Sequence, residues 1–374
     1  MSVLKNPFLL TGYIGEKYFC NRENEIEILE EHFDNERNVV LFSWRRLGKT
    51  ALLKHFQNIL QKKQKDTQSI YIDLLGATDM LSAIKQISQA VYEKFGRVSK
   101  KDNLSFQKLL GMLGMEMSFD PISGNPKIGM GLRTVIPAEK SLNEIGLFLR
   151  GMNKNILVIL DEFQQVTQFP EKNGEAVFRG WVQSFPEIRF VFSGSHRQMM
   201  QSMFTSKSRP FYRSAQLLQL EPIPLNEYRN FIKKHFKEGK KTIDDAVIDE
   251  IYNWSRQQTY CVQLLCNMLY GRFDKIELKH LPNVYIDLIA QESAFFSAYT
   301  KLLTRMQWLV LKAVAMEEPL INPYAKEFIS RHNLGAASTV NTSLKKLINS
   351  EIVVEDNSKY YVHDVALARW LQRV

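Results

Sequence analysis

The sequence predicts a three-layer α/β domain built on a parallel sheet, then a small helical domain, then a helix-and-hairpin end. Three observations predict it. Short apolar runs alternate with amphipathic segments as far as Leu220, the pattern of a parallel sheet covered on both faces. After Pro224 only helical spacing remains. Near the end, a helix with a Ser/Thr-rich start precedes two short strands around Asp356-Asn357-Ser358.

The elements follow in order. Glu23 to His32 sets Ile26, Ile28 and Leu29 among carboxylates, an amphipathic helix. Val39-Val40-Leu41-Phe42 is an apolar run of strand length, and Ala51 to Phe56 opens a helix. Ser69 to Leu74 reads as a strand and Met80 to Phe95 as a helix. Met115 to Leu132 alternates around Asp120-Pro121-Ile122-Ser123-Gly124-Asn125-Pro126, whose turn residues predict a β-hairpin. Ser141 to Arg150 and Glu175 to Ser184 are helices; Asn155 to Leu160, Ile188 to Ser193 and Gln216 to Leu220 are strands. Asn226 to Phe236, Ile243 to Ser255 and Val262 to Phe273 are helices, with Pro282 in a connector. Ala336 to Ile348 is a later helix, and Ile352 to Glu355 with Lys359 to Val362 form a wing, which predicts a winged helix-turn-helix. The expected domains are 1–222 (α/β), 223–293 (helical) and 294–374 (winged helix).

Between the first strand and its helix lies Ser43-Trp44-Arg45-Arg46-Leu47-Gly48-Lys49-Thr50. A strand, a loop ending in Gly-Lys-Thr and a helix start together suit a phosphate-binding loop. Backbone N–H groups at a helix N-terminus point at an anion, and the helix dipole favours it. Lys49 would reach the β- and γ-phosphates and the Thr50 hydroxyl would bind Mg²⁺. Ser43 stands at the first glycine of the usual G-x-x-x-x-G-K-[ST] pattern, a small residue that the turn must tolerate.

A second signal agrees. Asn155 to Leu160 is a continuous apolar run ending in Asp161 and Glu162, as a buried parallel strand would. Ligands of open α/β sheets bind at the carboxyl ends of such strands. Asp161 would hold Mg²⁺, and Glu162 would orient or deprotonate the attacking water. An ordinary strand with a solvated acidic turn gives the same pattern; the Gly-Lys-Thr loop decides between them.

The chain has 374 residues, 45% apolar and 24% charged, the balance of a globular protein with two or three domains. No run of 18 apolar residues appears, so no membrane span is expected. The first residues lack the apolar stretch of a signal peptide. Cys20, Cys261 and Cys266 have no disulfide or metal-ligand spacing and suit a reducing cytoplasm. Net charge is +9 and local: His196 to Lys241 carries ten basic and three acidic residues, a net of +7.

In order, the motifs resemble those of the prokaryotic AAA-type ATPases first described from archaea, related to the STAND ATPases. Phe19-Cys20-Asn21-Arg22-Glu23-Asn24-Glu25 is similar to the family's F-x-G-R-E-x-E beside the adenine, with Asn21 for glycine. Arg45 to Thr50 resembles R-R-x-G-K-T, and Asp161-Glu162-Phe163-Gln164 resembles D-E-F-Q. Phe192-Ser193-Gly194-Ser195 with Met200 and Phe204 is similar to the sensor strand, and Arg209-Pro210-Phe211-Tyr212 to the segment after it. After Tyr361, the stretch Asp364 to Leu371 resembles the D-P-x-x-x-x-W-L that closes the family's winged helix, with Val365 for proline. Gln257-Gln258-Thr259-Tyr260 replaces the family's G-x-P-Y, whose proline approaches the nucleotide.

The resemblance implies a P-loop NTPase of the ASCE/AAA-like kind that takes ATP or ADP with Mg²⁺. It implies nucleotide contacts from Arg22, Arg46, Leu47, Gly48, Lys49, Thr50 and Ala51, and metal contacts from Thr50 and Asp161. Glu162, Lys49, Asp161, Ser193 and Arg209 are the catalytic candidates. Ser193 could meet the γ-phosphate, and Arg209 or Arg213 could stabilise phosphate charge in cis or across a subunit contact. The expected function is slow, Mg²⁺-dependent ATP hydrolysis used as a conformational switch. The rival is a DNA-binding regulator that holds nucleotide as a structural ligand. Residues 301–374 carry ten basic and seven acidic residues, a net of +3, which supports DNA contacts only weakly. ATP, a protein partner or a second copy, and less strongly DNA, are the expected partners; a membrane is not.

Overall fold

The computed structural model describes residues 4–95, 100–119, 126–130 and 136–373. They form two compact units, 12–221 and 222–373, the second including residues 4–11.

The first unit holds a five-stranded sheet of β1 (Val39–Phe42), β2 (Thr67–Asp73), β5 (Asn155–Asp161), β6 (Ile188–Gly194) and β7 (Gln216–Gln219). Its order is β2-β5-β6-β1-β7, and every pairing is parallel. Parallel neighbours need crossovers, supplied by α2 (Lys49–Lys63), α3 (Met80–Phe95), α4 (Lys100–Met112), α5 (Ala138–Arg150), α6 (Gly174–Ser184) and α7 (Arg197–Thr205), while α1 (Glu23–Asp34) precedes the first strand and packs on the sheet. The central strands β1, β5 and β6 are buried almost throughout, which is why they read as apolar runs without alternation. One face packs Val40, Phe42, Val158 and Phe190 against α3, α5 and α6; the other packs Leu41, Leu157 and Val191 against α1 and α2.

The hairpin strands β3 (Met115–Phe119) and β4 (Pro126–Met130) pair antiparallel as expected; the turn residues 120–125 lie outside the described residues. Two described helices of this unit were not expected. In α4, Phe106, Leu109 and Leu110 bury at helical spacing behind a polar start. In α7, His196 caps the helix by accepting the Met199 N–H at 3.3 Å, while Met200, Met203 and Phe204 bury.

In the second unit, α8 (Leu225–Glu238), α9 (Asp245–Trp254), α10 (Thr259–Arg272) and α11 (Leu281–Leu302) form the helical region, with short strands β8 (Thr242–Ile243) and β9 (Lys275–Ile276). Pro282 lies in the first turn of α11, not in a connector, because its missing N–H is not needed there. This unbroken helix crosses the 293/294 boundary expected between domains. The segment 4–11, expected with the α/β domain, joins this unit: Phe8 packs its ring among Phe231, His235, Phe236 and Tyr270.

The end is a winged helix: α12 (Arg305–Met316), α13 (Lys326–Arg331), α14 (Ala337–Asn349), the hairpin β10 (Val353–Asp356) and β11 (Lys359–Val362), and α15 (Val365–Leu371). Asp364 caps α15 by accepting the N–H groups of Ala366 and Leu367. Among the described residues no helix is long and apolar enough to cross a membrane. The three cysteines are buried and form no disulfide.

Candidate nucleotide site

Parallel strands end on one edge, and several of the predicted site residues meet there. The β1–β6 register pairs Leu41 with Ser193, and β2–β5 pairs Asp73 with Asp161. The β1–α2 loop therefore opens beside the acidic end of the sheet.

Left-handed backbone shapes that loop. Gly48, before α2, has φ 92°, which costs a glycine nothing, and Arg46 has φ 66°. Ser43 is not among the positive-φ residues, so its Cβ is tolerated where the usual motif has glycine. Its hydroxyl donates to the Trp44 carbonyl at 2.8 Å and accepts from Lys49 Nζ at 3.1 Å. Lys49 is 6% exposed and also donates to the carbonyls of Ser43 (3.4 Å) and Trp44 (3.3 Å). A buried ammonium curled onto neutral acceptors of its own loop is suited to an incoming anion.

Thr50 and Asp161 meet: Thr50 Oγ1 donates to Asp161 Oδ2 at 3.0 Å. The same oxygen accepts the Tyr71 hydroxyl at 2.5 Å, and Oδ1 accepts the Glu162 N–H at 3.0 Å. Burial first, then the Asp161 charge, pushes the Tyr71 phenol pKa up, so the hydroxyl remains a donor. Asp73 is raised by burial, with Asp161 and Glu162 adding to the effect. Three carboxylates at one strand edge make a place where positive charge is favoured. Among the described residues no cluster of three or more His, Cys, Asp or Glu could hold a metal, so a cation here would lean on Thr50 and ligand oxygens as well as Asp161.

Glu162 has left-handed backbone, φ 52°. For a non-glycine residue this is uncommon and strained, and such strain gathers at functional sites. The turn is pinned by Phe163, whose ring lies 4.7 Å from Phe192 and 5.3 Å from Phe211. Glu162 Oε2 accepts Gln164 Nε2 at 2.5 Å and Ser195 Oγ at 2.8 Å, and Arg45 Nε donates to Ser195 at 3.3 Å. Ser193 is fully buried, and among the described residues its hydroxyl has no hydrogen-bond partner.

Arg22 is 4% exposed and supports the loop from below. It donates to the Leu47 carbonyl (3.4 Å), the Glu221 carbonyl (2.7 Å) and Glu25 (2.6 Å). Asn21, at the family's glycine, has φ 55°, a conformation that asparagine tolerates better than most residues. Gln257, at the glycine of G-x-P-Y, has φ 63° in the α9–α10 turn, a conformation that glycine adopts without strain.

Arg209 is not brought to the loop. Its guanidinium pairs with Glu175 at 2.8 Å and touches Met199 Sδ at 3.8 Å. Arg213 lies over the Tyr212 ring, 5.4 Å from its centre. The sequence reading missed Tyr71, Gln164 and the Arg45–Ser195 contact. Tyr71 pairs with Ile159, so Asp161 is its diagonal neighbour on the same face; only the strand register carries that information.

Comparison with known proteins bears on the family and the fold. The family model described as an ATPase domain predominantly from Archaea matches residues 19–260, and that described as "Probable winged helix domain" matches 294–373. No curated protein matches the chain. Several solved structures are similar in fold. The Walker-type ATPase PABY2304 of Pyrococcus abyssi is 16% identical with a TM-score of 0.67, over 98% of this chain and 100% of that one. The ORC2 protein of Aeropyrum pernix, in ADPNP–ADP complexes, is 15% identical with a TM-score of 0.60, over 98% and 96%. The A. pernix ORC1 protein, in complex with DNA, is 14% identical with a TM-score of 0.55, over 99% and 96%. The chain belongs to the family of ATPase domains predominantly from Archaea, and is a P-loop ATPase with a C-terminal winged helix.

Proposed function

We propose that this ATPase binds ATP with Mg²⁺ at the β1–α2 loop, hydrolyses it slowly and acts as a nucleotide-controlled conformational switch of the AAA and STAND kind. One observation carries the reading: Thr50 Oγ1 and Asp161 Oδ2 are 3.0 Å apart beside a loop whose lysine is buried. When bound, Mg²⁺ neutralises charge on the phosphates. Lys49 exchanges its loop acceptors for the β- and γ-phosphates, and the N–H groups of Arg46 to Ala51 cradle them. Thr50 would hold the cation through its oxygen while its hydroxyl donates to Asp161. Glu162 orients and deprotonates water, and Ser193 offers its buried hydroxyl to the γ-phosphate. Gln164 and Ser195 both hold Glu162 Oε2, which orients the carboxylate and leaves its other oxygen to the water. Arg22 fixes the loop beside the adenine. Arg209 acts only if its Glu175 pair opens. The cytoplasm suits three cysteines free of disulfides.

ATP affinity is expected to rise with Mg²⁺ in the parent chain, and Asp161→Asn to remove most of that rise. Titrating labelled ATP at several Mg²⁺ concentrations checks this; Mg²⁺-independent affinity in the parent contradicts the reading.

A second reading, a DNA-associated ATPase, is favoured by the winged helix and by the fold shared with ORC1, a protein solved with DNA. The surface to test is α8 and the turn after it. Lys233 and Lys241 are committed to Asp245 (2.6 Å) and Asp274 (2.7 Å), which leaves Lys234, Lys237 and Lys240 exposed. On α14 the exposed residues are mostly neutral, with Lys345 and Lys346 at its end. Replacing the three α8-side lysines by serine should lower the slope of log affinity against log salt by about 2–3. Replacing Lys345 and Lys346 should do less. Duplex anisotropy across salt concentrations measures both, and a larger loss from the α14 pair would make α14 a recognition helix.

A further inference from the structure

We propose that Tyr71 is a positioning residue for the metal-holding carboxylate of this ATPase. The inference rests on the reading of Thr50 and Asp161 as the Mg²⁺ pair. Strand β2 lies at the sheet edge beside β5, and its register puts Tyr71 diagonal to Asp161. The phenol donates to Asp161 Oδ2 at 2.5 Å, the oxygen that also takes the Thr50 hydroxyl at 3.0 Å. On the other oxygen is the Glu162 N–H at 3.0 Å. Lys54, one helical turn beyond Thr50, lies over the Tyr71 ring, 5.4 Å from its centre, and holds the ring in place.

The consequence follows from donor and acceptor capacity. A carboxylate torsion is intrinsically broad, so an aspartate held by one donor can rotate. Here three donors fix its plane. With Tyr71 and Thr50 each taking one lone-pair direction of Oδ2, the Thr50 proton is directed at Asp161. The lone pairs of the Thr50 oxygen are then left for a cation, and one direction on Oδ1 is left for the water around it. Tyr71 thus acts on the metal through Asp161 without touching it.

Tyr71→Phe keeps the ring and its lysine and removes only the hydroxyl. Mn²⁺ binding to the protein–ADP complex, followed by electron paramagnetic resonance, should weaken about tenfold, in line with loss of one hydrogen bond to a charged group. ADP affinity without metal should not change. In an Asp161→Asn background, Tyr71→Phe should add little, since both act on one interaction. Unchanged or tighter Mn²⁺ binding by Tyr71→Phe overturns the proposal; tighter binding would make the phenol a competitor of the cation. Should the parent complex hold Mn²⁺ no better than free ADP does, the Thr50–Asp161 reading itself fails.

Discussion

Glu162→Gln is expected to keep ATP and Mg²⁺ binding and to hydrolyse ATP about two to four orders of magnitude more slowly, the range for removing general-base chemistry. Glutamine matches glutamate in volume and can accept the Ser195 and Gln164 donors on its amide oxygen, so the turn should persist. The left-handed backbone at 162 is equally strained in both. What disappears is the capacity to take a proton from water. Single-turnover hydrolysis with the variant saturated by ATP measures it. Parent-like turnover would make Glu162 a strand-end carboxylate with no part in the chemistry.

Lys49→Ala is expected to lose ATP binding. The ammonium is the loop's buried cation and already lies against the Ser43 and Trp44 acceptors. Its removal deletes a charge-assisted phosphate contact at a site of low solvent exposure. A ligand that binds only the folded state stabilises it by about 2.7 kcal/mol at a hundredfold excess over Kd. The parent should therefore melt higher with ATP and the variant should not. An equal ATP-induced shift in both would remove the phosphate-loop assignment.

Much of the first unit was legible because its physics is local. Buried parallel strands need apolar runs, and the five runs ending near Phe42, Leu74, Asp161, Ser193 and Leu220 are the five strands. Their order, β2-β5-β6-β1-β7, was not legible, since it is settled by pairing between distant segments. Thr50 and Asp161 could be read as neighbours because strand ends share an edge. Tyr71 could not, because its contact depends on a diagonal across one register. Arg209 shows the other limit: a long cationic side chain can turn to any nearby acid, and it turns to Glu175. Pro282 is ambiguous by nature, since a proline fits both a connector and a first helical turn. Ser43 departs from the motif as a small residue the turn must tolerate, and its backbone is not left-handed, so no glycine is required there.

The switch is the central claim, and hydrogen exchange tests it most directly. The protein is compared with Mg²⁺-ADP and with a non-hydrolysable ATP analogue, following amides of the β1–α2 loop and of α14 in both states. Protection that differs at α14 as well as at the loop is the predicted result, because a switch must carry the state of the nucleotide into the second unit. Protection that differs at the loop and is identical across Ala337–Asn349 would contradict the account, leaving a nucleotide-binding ATPase with no switch.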